Sequence, residues 1–329
     1  MSPSGFDVIG GIADALLFFP LKLHIPPTKS RVIYLTSEEK RASLINLIYQ
    51  GVGFRDLAKF YLEGEVLGKG QFGVVRNLRC KQTGSLFAVK IVKKQALKSA
   101  EVVQYLRELE ALKLCRGHPN LVQLVDVFES YDCHQMVFEY LEGKDLFDYL
   151  NARNFVISED RAKELTLQIA LAIKHLHGHG IVHRDIKLEN VMMTNNSERA
   201  HPKVIDLGLA KFLGPKEIAT EPYGSLGYVA PEVIREKLYG FGCDMWSFGC
   251  LTYALLSGSL PFDHQSKTET VRLTLEAPLE FDLPCWTKVS LLAKDFITRL
   301  LVRDPRERLS IEGAIKHPWL KAARRGIFK

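Results

Sequence analysis

The sequence has no internal repeat and no low-complexity tract, which excludes solenoid arrays and tail-like segments. Its six cysteines, Cys80, Cys115, Cys133, Cys243, Cys250 and Cys285, form no CxxC pair and no cluster with histidine. That spacing excludes a zinc ribbon or a disulfide framework and predicts reduced core thiols, as in the cytoplasm, with the nucleus equally compatible. No sign of charge dominates: 44 Lys and Arg stand against 38 Asp and Glu, for a formal net charge of +6 spread along the chain, so nucleic acid is not implied as a partner. The most apolar N-terminal run, Val8 to Leu23, is broken by Asp14, Pro20 and Lys22. It is too short and too interrupted for a membrane span or signal peptide, and predicts no membrane insertion. No EF-hand loop occurs, so calcium binding by that motif is excluded. What is present is an ordinary globular composition, 47% hydrophobic and 25% charged over 329 residues, enough for a two-lobed domain and a short appendage.

The pattern changes character twice. Residues 1–53 hold a strand-like run, Arg31 to Leu35, then Thr36 and Ser37 as alternative caps for a helix with Leu44, Ile45, Leu47 and Ile48 at helical spacing. From Tyr61 short strands follow one another: 61–67, 74–80 and 86–92, with a turn at Lys81 to Gly84. A helix is predicted over 101–115, then strands around 121–128 and 135–140. Beyond Gly143 the period is helical, over 159–178, 243–258, 291–301 and 311–323. The expected fold class is therefore α+β: a small antiparallel sheet with one helix (61–140) ahead of a large, mainly helical part (141–320). A site between them is expected.

Four stretches carry chemistry. Leu67-Gly68-Lys69-Gly70-Gln71-Phe72-Gly73 contains GxGxxG; alone it could be a β-turn, but the β-branched residues and hairpin after it suit a lid over phosphates better than a dinucleotide turn, which would open a helix. Lys90 lies on an otherwise apolar strand, where a buried ammonium needs a partner, and Glu108 on the next helix can supply one, leaving Lys90 for the α- and β-phosphates. His183-Arg184-Asp185-Ile186-Lys187-Leu188-Glu189-Asn190 sets six polar side chains in eight positions between apolar runs. There Asp185 can take or orient a hydroxyl proton, Lys187 can steady a transferring phosphoryl group, and Asn190 can offer its amide oxygen to magnesium. Asp206 closes a β-branched run before Gly208 and suits Mg2+ between phosphates.

In order and approximate spacing these stretches match the protein-kinase signature set, and the chain resembles that family over residues 61–320. The resemblance implies a bilobal protein kinase fold, ATP and Mg2+ as cofactors, and transfer of the γ-phosphate to serine or threonine. It implies adenine between Leu67, Val75 and Ala88 above and Met192 below, with the backbone of Glu139 and Leu141 at its edge and Phe138 as gatekeeper. Leu112, Leu124, His183 and Leu207 would form an apolar column joining the lobes, Glu232 and Arg308 a buried ion pair, and Asp244 a support for the catalytic loop. Lys90, Asp185, Asn190 and Asp206 are all present, which argues against a pseudokinase; Ala230-Pro231-Glu232 argues against a lipid or small-molecule kinase. Residues 1–53 resemble the end of a pleckstrin-homology domain, a strand followed by a helix, and read as a packing appendage.

Leu207 stands where phenylalanine is common, and Ile186 and Leu188 flank Lys187 where leucine and proline are frequent; none removes a catalytic group. Glu221 occupies the position that many kinases fill with a phosphorylatable threonine, and its carboxylate is expected to pair with Arg184 and order the loop without phosphorylation. Ser225, placed to contact Asp185 and Lys187, and Lys187 itself imply serine/threonine specificity. Asp145 and Glu189 match acidic positions that receive an arginine three residues before the target, so the expected partners are proteins with Ser or Thr near basic residues. The nearest group by resemblance is the calcium/calmodulin-dependent and calcium-dependent kinases, which implies a calcium-sensor or calmodulin regulator. The basic tail 321–329 is short for a calmodulin target and reads as solvated.

Overall fold

Alternation of β-branched and polar residues between Tyr61 and Glu139 gives the first large element its form. In the computed structural model, which describes residues 19–25, 29–51, 56–70, 73–130, 132–214 and 218–327, strands β1 (Phe19–Ile25) and β2 (Lys29–Leu35) pair as an antiparallel hairpin. Helix α1 (Glu38–Gly51) follows, and Ser37 Oγ accepts from the Lys40 amide at 3.2 Å, so Ser37 rather than Thr36 acts as the cap. The first strand of the hairpin was not expected from the sequence, because its residues Phe19 to Ile25 overlap the broken apolar run. The single turn α2 (Leu57–Phe60), capped by Asp56, leads into the small lobe.

That lobe is a five-stranded antiparallel sheet of β3 (Tyr61–Lys69), β4 (Val74–Cys80), β5 (Leu86–Lys93), β6 (Leu124–Glu129) and β7 (Cys133–Glu139), in the spatial order β3-β4-β5-β7-β6. Gly84, at φ 72°, supplies the left-handed residue of the β4–β5 turn. A small core of Leu57, Leu78, Val89, Phe128 and Val137 belongs to this lobe alone. Helix α3 (Ser99–Leu114) carries Leu112 into a different core, which also takes Leu124 and Met136 and runs on through the large lobe. The two lobes therefore share one apolar mass.

The large lobe begins with α4 (Leu146–Asn151) and α5 (Glu159–Gly178) and the short strands β8 (Ile181–Val182), β9 (Val191–Met193), β10 (Pro202–Val204) and β11 (Lys211–Phe212). It continues with α6 (Pro231–Ile234), α7 (Gly242–Ser257), α8 (Lys267–Glu276), α9 (Leu291–Leu300), α10 (Ile311–Lys316) and α11 (Pro318–Ile327). Helix α7 is buried on every side from Cys243 to Leu256, the state expected of a helix apolar all round. The helix expected over 311–323 is in fact two. Pro318 has no amide to donate and forces His317 to extended ψ (139°), so α10 stops and α11 restarts at the proline. All six cysteines are free, but only Cys115, Cys243 and Cys250 are core thiols; Cys80, Cys133 and Cys285 are half-buried. No helix among the described residues is long and apolar enough to cross a membrane.

Candidate active site

A cavity of about 380 Å3 lies between the lobes. Strand β5 sets Lys90 between Val75 of β4 and Met136 of β7, and helical phase turns Glu108 inward while Glu110 stays exposed. Lys90 Nζ donates to Glu108 Oε1 at 2.6 Å and lies 3.8 Å from Asp206 Oδ1. Burial raises the Glu108 carboxyl above its ordinary value; Lys90 opposes this and Asp206 adds to it. Leu112, Val122, Phe138, Ile205 and Leu207 give the cavity its apolar walls.

Asp185 and Asn190 on the floor meet Lys187 and Ser225 beside it, so that four predicted residues form one hydrogen-bonded set. Ser225 Oγ donates to Asp185 Oδ1 at 2.8 Å, while Lys187 Nζ (2.9 Å) and Asn190 Nδ2 (2.8 Å) reach Oδ2. Lys187 also donates to Ser225 Oγ at 2.7 Å. Burial alone would push the Asp185 carboxyl up, but the hydrogen bonds from Lys187 and Ser225 outweigh it and hold the group below its ordinary value.

The loop carrying Asp185 is fixed from beneath. Asp244, fully buried at the start of α7, accepts from the amides of His183 (2.9 Å) and Arg184 (2.8 Å) and bonds His177 Nε2 at 2.9 Å. Burial would raise its carboxyl, yet His177 and His183 hold it below its ordinary value. Arg184 sits at φ 69° and Asp206 at φ 56°, left-handed conformations that non-glycine residues adopt only where their surroundings over-determine them. Leu112, Leu124, His183 and Leu207 are all buried, and the three leucines belong to the core shared by the lobes.

Glu221 makes the expected contact with Arg184, Nη1 to Oε2 at 3.3 Å, but its shorter partner is Lys211, whose Nζ lies 2.9 Å from Oε2 and 3.1 Å from Oε1. The Tyr239 hydroxyl donates to the Glu221 carbonyl at 2.5 Å. Lys211 is the main reason that the Glu221 carboxyl is lowered to about 2. Neither Lys211 nor Tyr239 was singled out in the sequence: one is a lone cation after the Asp206 turn, the other an aromatic far along the chain. Gln104, whose Nε2 donates to the Gly208 carbonyl at 2.5 Å, was likewise missed.

Some expected residues stand apart from the cavity. Gly70, Gly73, Val75, Ala88, Lys90, Asp185, Asn190 and Asp206 line it; Leu67, Gly68, Lys69, Glu139, Leu141 and Met192 do not. Gln71 and Phe72 lie outside the described residues. Leu67 is 49% exposed. The Glu139 carboxylate holds Lys203 at 2.8 Å and the Gln123 amide at 2.8 Å. Asp145 spends one carboxylate oxygen capping α4 through the Asp148 amide at 2.8 Å, so only its other oxygen is uncommitted to the cap; Glu189 is exposed.

The residues fit phosphates and a divalent cation. A Cβ on Gly73 would stand 2.2 Å from the Ile91 carbonyl oxygen, so the backbone itself demands that glycine. A Cβ on Gly68 would meet nothing within 4 Å, and one on Gly70 only the Gly73 oxygen at 3.9 Å. These two glycines leave open space rather than answer to packing, as a loop approached by a ligand does. No group of three or more His, Cys, Asp or Glu suited to a metal occurs among the described residues. Asp206 and Asn190 nevertheless offer hard oxygens, since the Asn190 Nδ2 bonds to Asp185 turn its amide oxygen the other way.

Residues 61–320 match the protein kinase domain family. The chain is 38% identical over 263 residues to a probable myosin light chain kinase of Dictyostelium discoideum, covering 79% of this chain and 66% of that protein. It is 39% identical over 263 residues to CDPK-related kinase 8 of Arabidopsis thaliana, covering 79% and 43%. It is 38% identical over 277 residues to calcium/calmodulin-dependent serine/threonine-protein kinase 1 of Oryza sativa subsp. japonica, covering 83% and 46%. The chain thus spans 66% of the first relative and less than half of the other two.

Proposed function

The chain belongs to the protein kinase family, and from that premise we propose that it transfers the γ-phosphate of ATP to serine or threonine hydroxyls of proteins with basic residues near the acceptor. The observation that carries this reading is the closed hydrogen-bonded set in which Lys187 and Ser225 hold Asp185, which with Asn190 lines the cavity. Lys90, fixed by Glu108, binds the α- and β-phosphates, and Gly70 and Gly73 cover them. Asn190 and Asp206 would hold Mg2+, which supplies neutralisation of phosphate charge. Asp185 Oδ1, with Ser225 on one lone pair, keeps the other for the acceptor hydroxyl. Because its pKa is lowered, Asp185 is ionised at neutral pH and a weak base: it aims the hydroxyl and takes the proton as the oxygen–phosphorus bond forms. Lys187 meets the charge on the moving phosphoryl group, and ADP leaves with the electrons of the broken bond.

Glu221 supports a finer reading, activity without phosphorylation of the segment from Asp206 to Glu232. Its carboxylate already holds Lys211 and Arg184, the latter adjoining Asp185 in the chain. The name of one relative states dependence on calcium and calmodulin. A regulator of that kind would show as a change in the rate of peptide phosphorylation when calmodulin and calcium are added.

The test is transfer of labelled phosphate from ATP with Mg2+ to a serine peptide with arginine three residues before the serine. The native chain is expected to be active and Asp185→Asn inactive. ATP binding without transfer by either protein would overturn the enzyme reading in favour of a nucleotide-binding scaffold.

A further inference from the structure

Outside the cleft, the chain carries a sequence of the kind its own site would take. Of all its serines and threonines, three have a lysine or arginine three residues before them: Ser43 after Lys40, Thr166 after Lys163 and Thr270 after Lys267. Two of these hydroxyls are out of reach. Thr166 and Thr270 are 0% and 1% exposed, and they donate to the carbonyls of Ala162 at 2.7 Å and His264 at 3.0 Å. Ser43 is exposed, and it alone of the three has a second basic residue, Arg41, two positions before it.

Ser43 lies in α1, whose described side chains are all exposed or half-buried. A helix of this length without a buried face is marginal on its own, so it opens locally at little cost. The pairs lost on opening are weak ones. Lys40 Nζ donates to Thr36 Oγ1 at 3.2 Å and Arg41 Nη2 to Glu38 Oε1 at 2.6 Å, both in exposed positions. Opening matters because the Asp185 side chain is recessed, at 12% exposure, and a helix about 10–12 Å wide does not enter where an extended strand does. Once open, the segment presents Lys40, Arg41 and Ser43 as a basic stretch just ahead of an acceptor hydroxyl.

We propose that Ser43 is a modification site that this kinase itself fills. The proposal rests on the protein-kinase reading and on its preference for basic residues near the acceptor. Ser43 Oγ forms a bond to the γ-phosphorus of ATP and gives its proton to Asp185. The bond from that phosphorus to the bridging oxygen breaks, and ADP leaves with the electron pair. Thr220 is exposed as well, but Glu217 stands three residues before it, so it is expected to stay unmodified.

The test incubates the full chain, first freed of phosphate by a phosphatase, with ATP and Mg2+ and with a serine peptide that has arginine three residues before the serine. Mass spectrometry then locates the phosphate on the chain, and transfer to the peptide is followed in parallel. Ser43 is expected to carry most of the phosphate, and the Asp185→Asn chain alone to carry none. Ser43→Ala should lose most of the incorporation while phosphorylating the peptide at the native rate. Lys40→Ala with Arg41→Ala should slow Ser43 modification about 3- to 10-fold, the scale of one or two exposed ion pairs, whereas Lys40→Arg should preserve it. Phosphate on the peptide but not on Ser43, or gathered on Thr220 instead, overturns the proposal and leaves the enzyme reading standing. Transfer to neither acceptor refutes the enzyme reading and this site with it.

Discussion

At the scale of single residues, Glu221 is the most informative side chain because its charge is built in. Its folded pKa of about 2 lies below the ordinary 4.5. A depressed carboxylate contributes stability that is fully present above about pH 4.5 and is lost as pH falls toward 2. Glu221→Gln should therefore lower the melting temperature at pH 7 but much less near pH 3, and should reduce peptide phosphorylation roughly 10-fold, on the scale of one lost charge-assisted hydrogen bond. A preparation shown by mass spectrometry to be unphosphorylated should retain full activity; a large deficit there would refute the built-in charge. A second residue-scale expectation concerns Arg308 and Glu232, a bidentate pair at 2.7 and 2.8 Å. Breaking it with Arg308→Met leaves a buried carboxylate unpaired, at a cost of about 3–5 kcal/mol in denaturant unfolding, whereas Arg308→Met with Glu232→Met should recover part of the loss. The Glu221–Arg184 and Glu232–Arg308 pairings were expected from the family resemblance, which Arg184 and Glu232 anchor through the motifs that hold them. The partners His177, Lys211 and Tyr239 were not, because they are brought in by tertiary folding from outside any motif.

At the scale of elements, α3 and the junction of α4 with β9 bear the site. Glu108→Gln removes the charge that fixes Lys90 while leaving α3 intact. We expect kcat/KM for ATP to fall roughly 100-fold, the order of effect seen when a preorganised electrostatic contact is lost, with an unchanged circular dichroism spectrum. Gly143 precedes α4, and a Cβ there would lie 2.3 Å from the Met193 oxygen and 2.7 Å from the Asn195 oxygen. Gly143→Ala should destabilise by about 1–3 kcal/mol, readable in urea melts, because backbone must shift to admit the methyl group. Element type was the most readable property: helical period alone placed α5 at its observed ends, Glu159–Gly178. The errors came where local pattern and chain chemistry disagreed. Apolar spacing runs through Pro318 without a break, although proline cannot continue the helix, and the β1 strand lay hidden in a run read only for its hydrophobicity. Left-handed backbone at Arg184 and Asp206 left no trace in residue type, since neither is glycine.

At the scale of the whole molecule, the apolar mass shared by the lobes ties the sheet to the helices through Leu112, Leu124 and Met136. Order of lobes and position of the cavity followed from the strand-rich and helix-rich halves of the sequence. Beneath that assembly lies the Asp244 carboxylate, with no exposed surface, holding the amides of His183 and Arg184. Those two amides belong to a loop, where deuterium usually replaces hydrogen within seconds to minutes. Here they can open only if α7 parts from the loop, which means unfolding of the large lobe. They should therefore keep their protons as long as the amides in the middle of α7, marking the catalytic loop as part of the slowest-opening unit of the fold.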